Sequence, residues 1–444
     1  YSRYAGHCRF PCVIGHEFAG EVVKVGKAGK RVVKKFLPEE KHHVSYTRRI
    51  ERVKTRERVV AMTFDDGPMD LPSSPDKFDG KALTDILLDT LGEYGAQGTF
   101  DVVGDTSENY PDTAGKSGQA DWGGVRYDHY PDINQDERGG AVHNQRLLRR
   151  MLDEGHQVTN HGYRHVLFGK KPFVYGKRDH FHGLDQVVSD LTRLHTLLKE
   201  TYGYEMTMAR PPHYVDKIEG GFTSYDAYDQ MGYLYLAAAF DGAGWLPLHH
   251  GSAQESLRAE VEAMVDPMRK VLEADPDGLA GQIIFQKDGY NMCRRTPVAF
   301  GLKKQLELLK KYGYQVVTVQ RLMEYSPFAD VGREDPGFEK LVRLQKTRGI
   351  VYSDNRLRLD APMTWGELAM LLAPRGEAID RRIQKIRETG TAQHANWGAM
   401  DWCAEQGILK YAMDPDGAVS SLPSAYFAPA KGFTRRQVYE AFRE

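Results

Sequence analysis

Two aspartates, Asp65 and Asp66, stand side by side in "VVAMTFDDGP", residues 59–68, where a β-branched run meets a Gly-Pro turn. Like charges that close raise each other's pKa unless a cation offsets them. Turn chemistry alone accounts for such a pair, because Asp, Gly and Pro all favour turns. The other reading is division of labour. Adjacent residues leaving a strand point in different directions, so one carboxylate binds a cation while its neighbour stays free as a base. Further ligands appear in "EGHQVTNHGYRH", where His161 and His165 are four apart and project from one side of a helical turn. Two imidazoles and a carboxylate form a three-ligand set that leaves positions for water and substrate. Water on such a cation loses its proton near neutral pH, and an unligated Asp beside it takes that proton. Iron oxygenases use the same ligand types but place the carboxylate close to the first His, unlike Asp66.

The elements that must position these residues follow from periodicity. Candidate strands are 59–63, 98–103, 157–160, 205–209, 233–240, 281–286 and 314–319. Between them, Leu83, Ile86, Leu87 and Leu91 share one helical face, as do Leu184, Val187, Val188, Leu191, Leu194 and Leu198. Strand–helix alternation repeated about seven times predicts an α/β fold with a parallel sheet, open or closed into a barrel. Sites in such folds gather at the carboxyl ends of strands, where Asp65, Asp66 and His161 fall.

The chain has 444 residues and a formal net charge of -1, which predicts two or three domains and argues against a nucleic-acid or membrane-surface role. No apolar run is long enough to span a membrane. The chain begins at Tyr1 without an apolar leader, as expected of a processed or truncated form. Four cysteines are too few for a disulfide framework, and Cys8 and Cys12, flanked by His7 and His16, lack the second pair of a zinc ribbon. A Gly-rich segment, 107–143, interrupts the alternation; its Trp122, Tyr127 and Tyr130 suit either a sugar-stacking rim or a self-packed loop. Asp132, Asn134 and Asp136 faintly echo a calcium loop, but His143 stands where the bidentate Glu belongs.

"TFDDGP" followed by "HGYRH" resembles the NodB-homology polysaccharide deacetylases, carbohydrate esterase family four. "ARPPHY" at 209–214, "FDGAGW" at 240–245 and "GQIIFQKDGY" at 281–290 look like that family's later motifs, in order. The resemblance implies a distorted (β/α) barrel of about seven parallel strands over 59–325. It also implies a divalent metal, zinc first with cobalt or nickel as substitutes, on Asp66, His161 and His165. Asp65 would be the general base, Arg210 its partner, and Asp241 the residue orienting the general acid. His213, Tyr214 and Trp245 would bind substrate, with a backbone N–H near His213 completing an oxyanion hole. The implied activity is metal-assisted hydrolysis of N-acetyl groups on peptidoglycan or a chitin-like polymer, releasing acetate, at the extracellular cell wall. Three positions depart from the family pattern: Gly162 in place of Ser or Thr, Gly244 in place of a second Asp, and Lys287 in place of the general-acid His. Lys287 keeps open an alternative, a wall-binding structural protein that retains the metal site with little or no turnover.

The tail, 326–444, is similar to S-layer homology repeats. One copy, about 328–373, carries Phe328–Val331, Gly349-Ile350, Pro362 and Thr364–Glu367; a looser copy, about 396–444, carries Phe427, Pro429 and Thr434–Gln437. The resemblance implies binding to an anionic secondary cell-wall polymer, with Arg435 as the remaining basic group of the signature. A merely structural helical appendage is the competing reading. The head, 1–58, reads as a β-rich extension with alternating Lys and Arg. Within it, Pro11–Gly26 resembles a motif of medium-chain zinc dehydrogenases, yet no GxGxxG fingerprint follows a strand in the chain.

Overall fold

The computed structural model describes residues 47–105, 120–122, 125–127, 139–171, 180–245, 247–291, 293–350, 353–373, 399, 402, 403, 406 and 429–442. The dehydrogenase-like stretch, Cys8, Cys12 and the calcium-like run from Asp132 to Asp136 lie outside these residues, as does Tyr130.

Strand β1 is Arg49–Ile50, β2 Val59–Asp65 and β3 Thr99–Val102; β4 (Ala120–Trp122) and β5 (Val125–Tyr127) form a small antiparallel hairpin. Then come β6 (Gln157–Asn160), β7 (Met208–Ala209), β8 (Leu234–Leu236), β9 (Phe240–Asp241), β10 (Ile283–Lys287) and β11 (Gln315–Val317). Among the described residues nine strands make one sheet, in the order β1-β8-β7-β6-β3-β2-β10-β9, with β11 also beside β2. Every pairing in it is parallel. All seven residues of β2 are buried, as expected for a strand covered on both faces of a parallel sheet.

Periodicity predicted one strand over 233–240, and the structure has two. At Ala237–Ala239 the chain changes partners: the Ala237 N–H donates to the Ile50 carbonyl and the Ala239 N–H to the Ile283 carbonyl. Since β8 and β9 pair near opposite ends of the strand order, this alanine run curls the sheet into the distorted barrel expected. Arg49–Ile50, assigned from sequence to the N-terminal extension, pairs with β8 and belongs to the sheet.

Helices Leu83–Glu93 and Leu184–Tyr202 form where the apolar spacing predicted them and bury the expected leucines. A fully buried Leu contributes about 1.5–3 kcal/mol. The second helix ends on Gly203, whose left-handed backbone (φ 66°) suits a residue without Cβ. Past the barrel, Phe328, Val331, Phe338, Leu341, Leu344 and Ile350 join Met363, Leu371 and Tyr439 in a separate apolar cluster. There β12 (Pro362–Thr364) and β13 (Pro429–Thr434) pair antiparallel, and each is followed at once by a helix, Trp365–Leu372 and Arg435–Ala441.

Candidate active site

The site is built by strand register. Lys287, Asp65 and Asp101 occupy one row across β10, β2 and β3 at their carboxyl ends. The ladder continues past the strands: the His161 N–H donates to the Val102 carbonyl and the Arg210 N–H to the Asn160 carbonyl. Five neighbouring strands thus bring residues at or just past their carboxyl ends to one spot. The turns there are unusual. Asp66 (φ 81°), His165 (φ 57°), His213 (φ 55°) and Tyr214 (φ 53°) all adopt left-handed backbone, which non-glycine residues rarely do away from functional sites.

Asp66 meets both imidazoles, its Oδ1 lying 3.2 Å from His161 Nε2 and 3.0 Å from His165 Nε2. His161 Nδ1 is 2.9 Å from both the Arg210 carbonyl and Asp101 Oδ2. A proton on Nδ1 satisfies those acceptors and leaves Nε2 as the ligand atom. One donor atom each from Asp66, His161 and His165 lies within 4.8 Å of the others, and all three residues are buried. This donor set suits a divalent cation of the zinc type.

Asp65 is held apart from that group. Its Oδ1 accepts from Arg210 Nη1. Arg210 is fully buried and also donates to Thr63 Oγ1 (3.1 Å), the Ala237 carbonyl (3.3 Å) and the Leu236 carbonyl (3.3 Å). The other Asp65 oxygen, Oδ2, is 3.8 Å from His161 Nε2. Burial pushes Asp65 up to about 7, against the pull of Arg210 and His161. Burial also opposes the charge on Asp66, but Lys287 and His165 outweigh it and hold that carboxyl well below the usual range. Burial lowers His165 to about 4, so it is neutral at pH 7, as a ligand must be. On His161 burial is outweighed by Asp101, and the ring sits well above its ordinary value, so a cation at Nε2 would displace a proton there.

The remaining expected residues fall as follows. Lys287 Nζ contacts Asp66 Oδ2. Asp241 is exposed and accepts from the Ala243 N–H (2.8 Å) and Trp245 Nε1 (3.1 Å); among the described residues it makes no ion pair. Its expected partnership with Lys287 is therefore replaced by one with Trp245, because Lys287 is drawn to the buried carboxylate. The His213 ring lies tilted against His165, with centroids 5.1 Å apart, and the Tyr214 ring lies 5.4 Å from the Arg210 guanidinium. Sequence reasoning missed Asp101, whose only signal was one carboxylate inside the apolar run "GTFDVVG". It missed Asp190 too, which accepts from the Tyr163 N–H at 2.7 Å and fixes the His161–His165 loop. Gly162, read as a lost hydroxyl, has φ 84°, and an added Cβ would sit 3.2 Å from Asp190 Oδ2.

Fold and site together define a curled parallel α/β barrel with a candidate metal centre at the carboxyl edge of its sheet. Residues 52–215, within the barrel, match the polysaccharide deacetylase family model. Curated relatives agree. The peptidoglycan-N-acetylmuramic acid deacetylase PdaC of Bacillus subtilis is 25% identical over 39% of this chain and 25% of its own length. The peptidoglycan-N-acetylglucosamine deacetylase PgdA of Listeria monocytogenes is 22% identical over 70% of this chain and 47% of its own length. A Bacillus cereus peptidoglycan-N-acetylglucosamine deacetylase is 24% identical over 62% of this chain and 92% of its own length. The chain thus spans a quarter to about half of the first two relatives.

Proposed function

We propose that the protein removes N-acetyl groups from a cell-wall polysaccharide, peptidoglycan or a chitin-like polymer, outside the cell at the wall. One observation carries this reading: Asp66, His161 and His165 converge in a buried group while Arg210 holds Asp65 beside it. The names of the relatives support an N-acetylated wall polymer as the substrate class. When bound at those three residues, a divalent cation (zinc, or cobalt or nickel in its place) supplies polarisation of the acetyl carbonyl and acidification of water.

The chain's own residues do the rest. Asp65 takes the proton of the attacking water on Oδ2, the oxygen that faces the ligand group. Arg210 fixes its other oxygen and favours the ionised base against burial. Asp101 and the Arg210 carbonyl hold His161 with Nε2 inward. Trp245, oriented by Asp241, joins His213 and Tyr214 around the acetyl group. As the C–N bond breaks, the departing amine takes a proton, for which Lys287 is the cation at hand. The C-terminal unit serves wall attachment; its twice-used strand, Thr and helix support the repeat reading. Arg435 does not take part in polymer binding, being buried and ion-paired with Glu367 at 2.7 Å.

Acetate release from N-acetylglucosamine oligomers with added zinc or cobalt tests the activity. Release by the wild type and its loss in Asp65→Asn support it. A second reading rests on the Lys287–Asp66 contact, which sets an ammonium against a metal ligand. A wild type that binds zinc yet releases no acetate selects that reading, a wall protein that keeps the fold without turnover.

A further inference from the structure

A second group of metal-type donors lies away from the barrel centre. His180 Nε2 is 2.9 Å from Glu219 Oε1, and His182 Nδ1 is 3.4 Å from Glu219 Oε2. The two rings meet edge-on with centroids 4.7 Å apart. One donor atom from each of the three residues lies within 4.8 Å of the others. The donors come from two separate segments whose backbones are already fixed. Glu219 caps a hairpin closed by the Lys217–Thr223 bridge, with Gly220 and Gly221 both at φ 88°. His180 bridges Leu167, the Phe181 N–H donates to the Leu167 carbonyl, and the His182 N–H donates to Gln186 Oε1.

We propose that His180, His182 and Glu219 bind a second divalent cation of the zinc, nickel or copper class, independent of the catalytic group. The ligand types decide the class: two imidazoles and one carboxylate suit borderline transition metals, not calcium or magnesium. The charge balance favours it as well. At the barrel centre Lys287 already offsets Asp66, whereas among the described residues Glu219 is ion-paired only with these two imidazoles. A cation held by these three side chains also offsets the carboxylate's charge. Three protein ligands at partly exposed positions leave a fourth place for solvent.

The location gives the cation a purpose. The loop that follows His165 runs between the two segments, bridged to His180 at Leu167 and pressed at Gly169 against the Lys217 carbonyl, where an added Cβ would collide. A cation joining His180 and His182 to Glu219 clasps the hairpin over that loop.

Zinc binding to the full chain, measured by competition with a chromophoric chelator at pH 7.5, is the test. The catalytic group is disabled in a His161→Ala/His165→Ala background so that the two sites are counted apart. That background is expected to bind one zinc equivalent, with affinity weakened at least tenfold by His182→Ala and by Glu219→Gln. If the background binds no zinc while circular dichroism shows it folded, or if neither substitution weakens binding, the proposal fails. A response of stability to pH in His182→Ala without any change in zinc affinity likewise overturns it, leaving a plain imidazole–carboxylate pair. Should the background not fold, the wild type is compared with His182→Ala directly. A drop from two equivalents to one upholds the site, and an unchanged count refutes it.

Discussion

Asp65 and Asp66 are neighbours in sequence with opposite electrostatic fates. Asp66 ionises readily beside Lys287 and the imidazoles, while Asp65, gripped by Arg210, is lifted to about 7 by burial. Asp65→Asn keeps the ligand group but cannot accept a proton. Acetate release is expected to fall by about 10²–10⁴-fold, with zinc affinity within a few-fold of wild type; both are measured on one preparation. Lys287→Met removes an ammonium that competes for Asp66 Oδ2, so zinc affinity is expected to rise by about tenfold or more, about 1.4 kcal/mol, by chelator competition. An unchanged affinity means that the ammonium does not oppose the cation. The acidic pair, the His pair and Arg210 were legible because each sits in a short motif at a strand end. Asp101 was not, because its partner His161 comes from another strand and only the sheet register joins them.

At the scale of elements, the junction of β2 and β10 decides how the aspartates are presented. The Asp288 N–H donates to the Asp65 carbonyl, and its side chain accepts from Thr84 Oγ1 at 2.8 Å. That carboxyl lies against Gly67, where any Cβ would collide with it. Gly67→Ala is therefore expected to cost about 1–3 kcal/mol in chemical denaturation, less in an Asp288→Ala background. Burial pushes Asp288 up to about 7, so the folded state keeps a proton that the unfolded chain releases at its ordinary value. Its contribution to stability is complete below that ordinary value and is lost as pH rises through about 7. The stability of wild type relative to Asp288→Asn should accordingly decline between pH 4 and pH 8, by on the order of 3 kcal/mol, in paired melting curves. Most strands and the two marked helices were readable from apolar period. The break between β8 and β9 was not, because Ala237–Ala239 carry no turn signal and the change of partner is dictated by sheet closure.

At the scale of the molecule, the tail is fastened to the barrel. Arg48 Nη1 donates to the Pro327 carbonyl and to Asn355 Oδ1, both at 2.9 Å, and the Arg49 N–H donates to the Ser353 carbonyl at 2.6 Å. Within the tail, β12 pairs with β13, and the buried Arg435–Glu367 ion pair joins the helices that follow them. Removing one partner of a buried pair strands the other. Arg435→Ala is expected to destabilise the tail by about 3–5 kcal/mol, seen as faster proteolysis beyond residue 326 with the barrel intact. Motif order predicted the barrel, and past it the tail packs around its own apolar cluster. The burial of Arg435 was not legible, because its partner Glu367 lies 68 positions away and only the fold joins them.

In the proposed site Asp66, His161 and His165 share one cation while Asp65 stays outside its coordination. Anomalous diffraction at the zinc edge, from crystals grown with zinc, measures this directly. A peak is expected about 2.0–2.2 Å from an Asp66 oxygen and from Nε2 of both histidines, with Asp65 still on Arg210. No peak at that position under saturating zinc, or a peak ligated by Asp65 in place of Asp66, contradicts it.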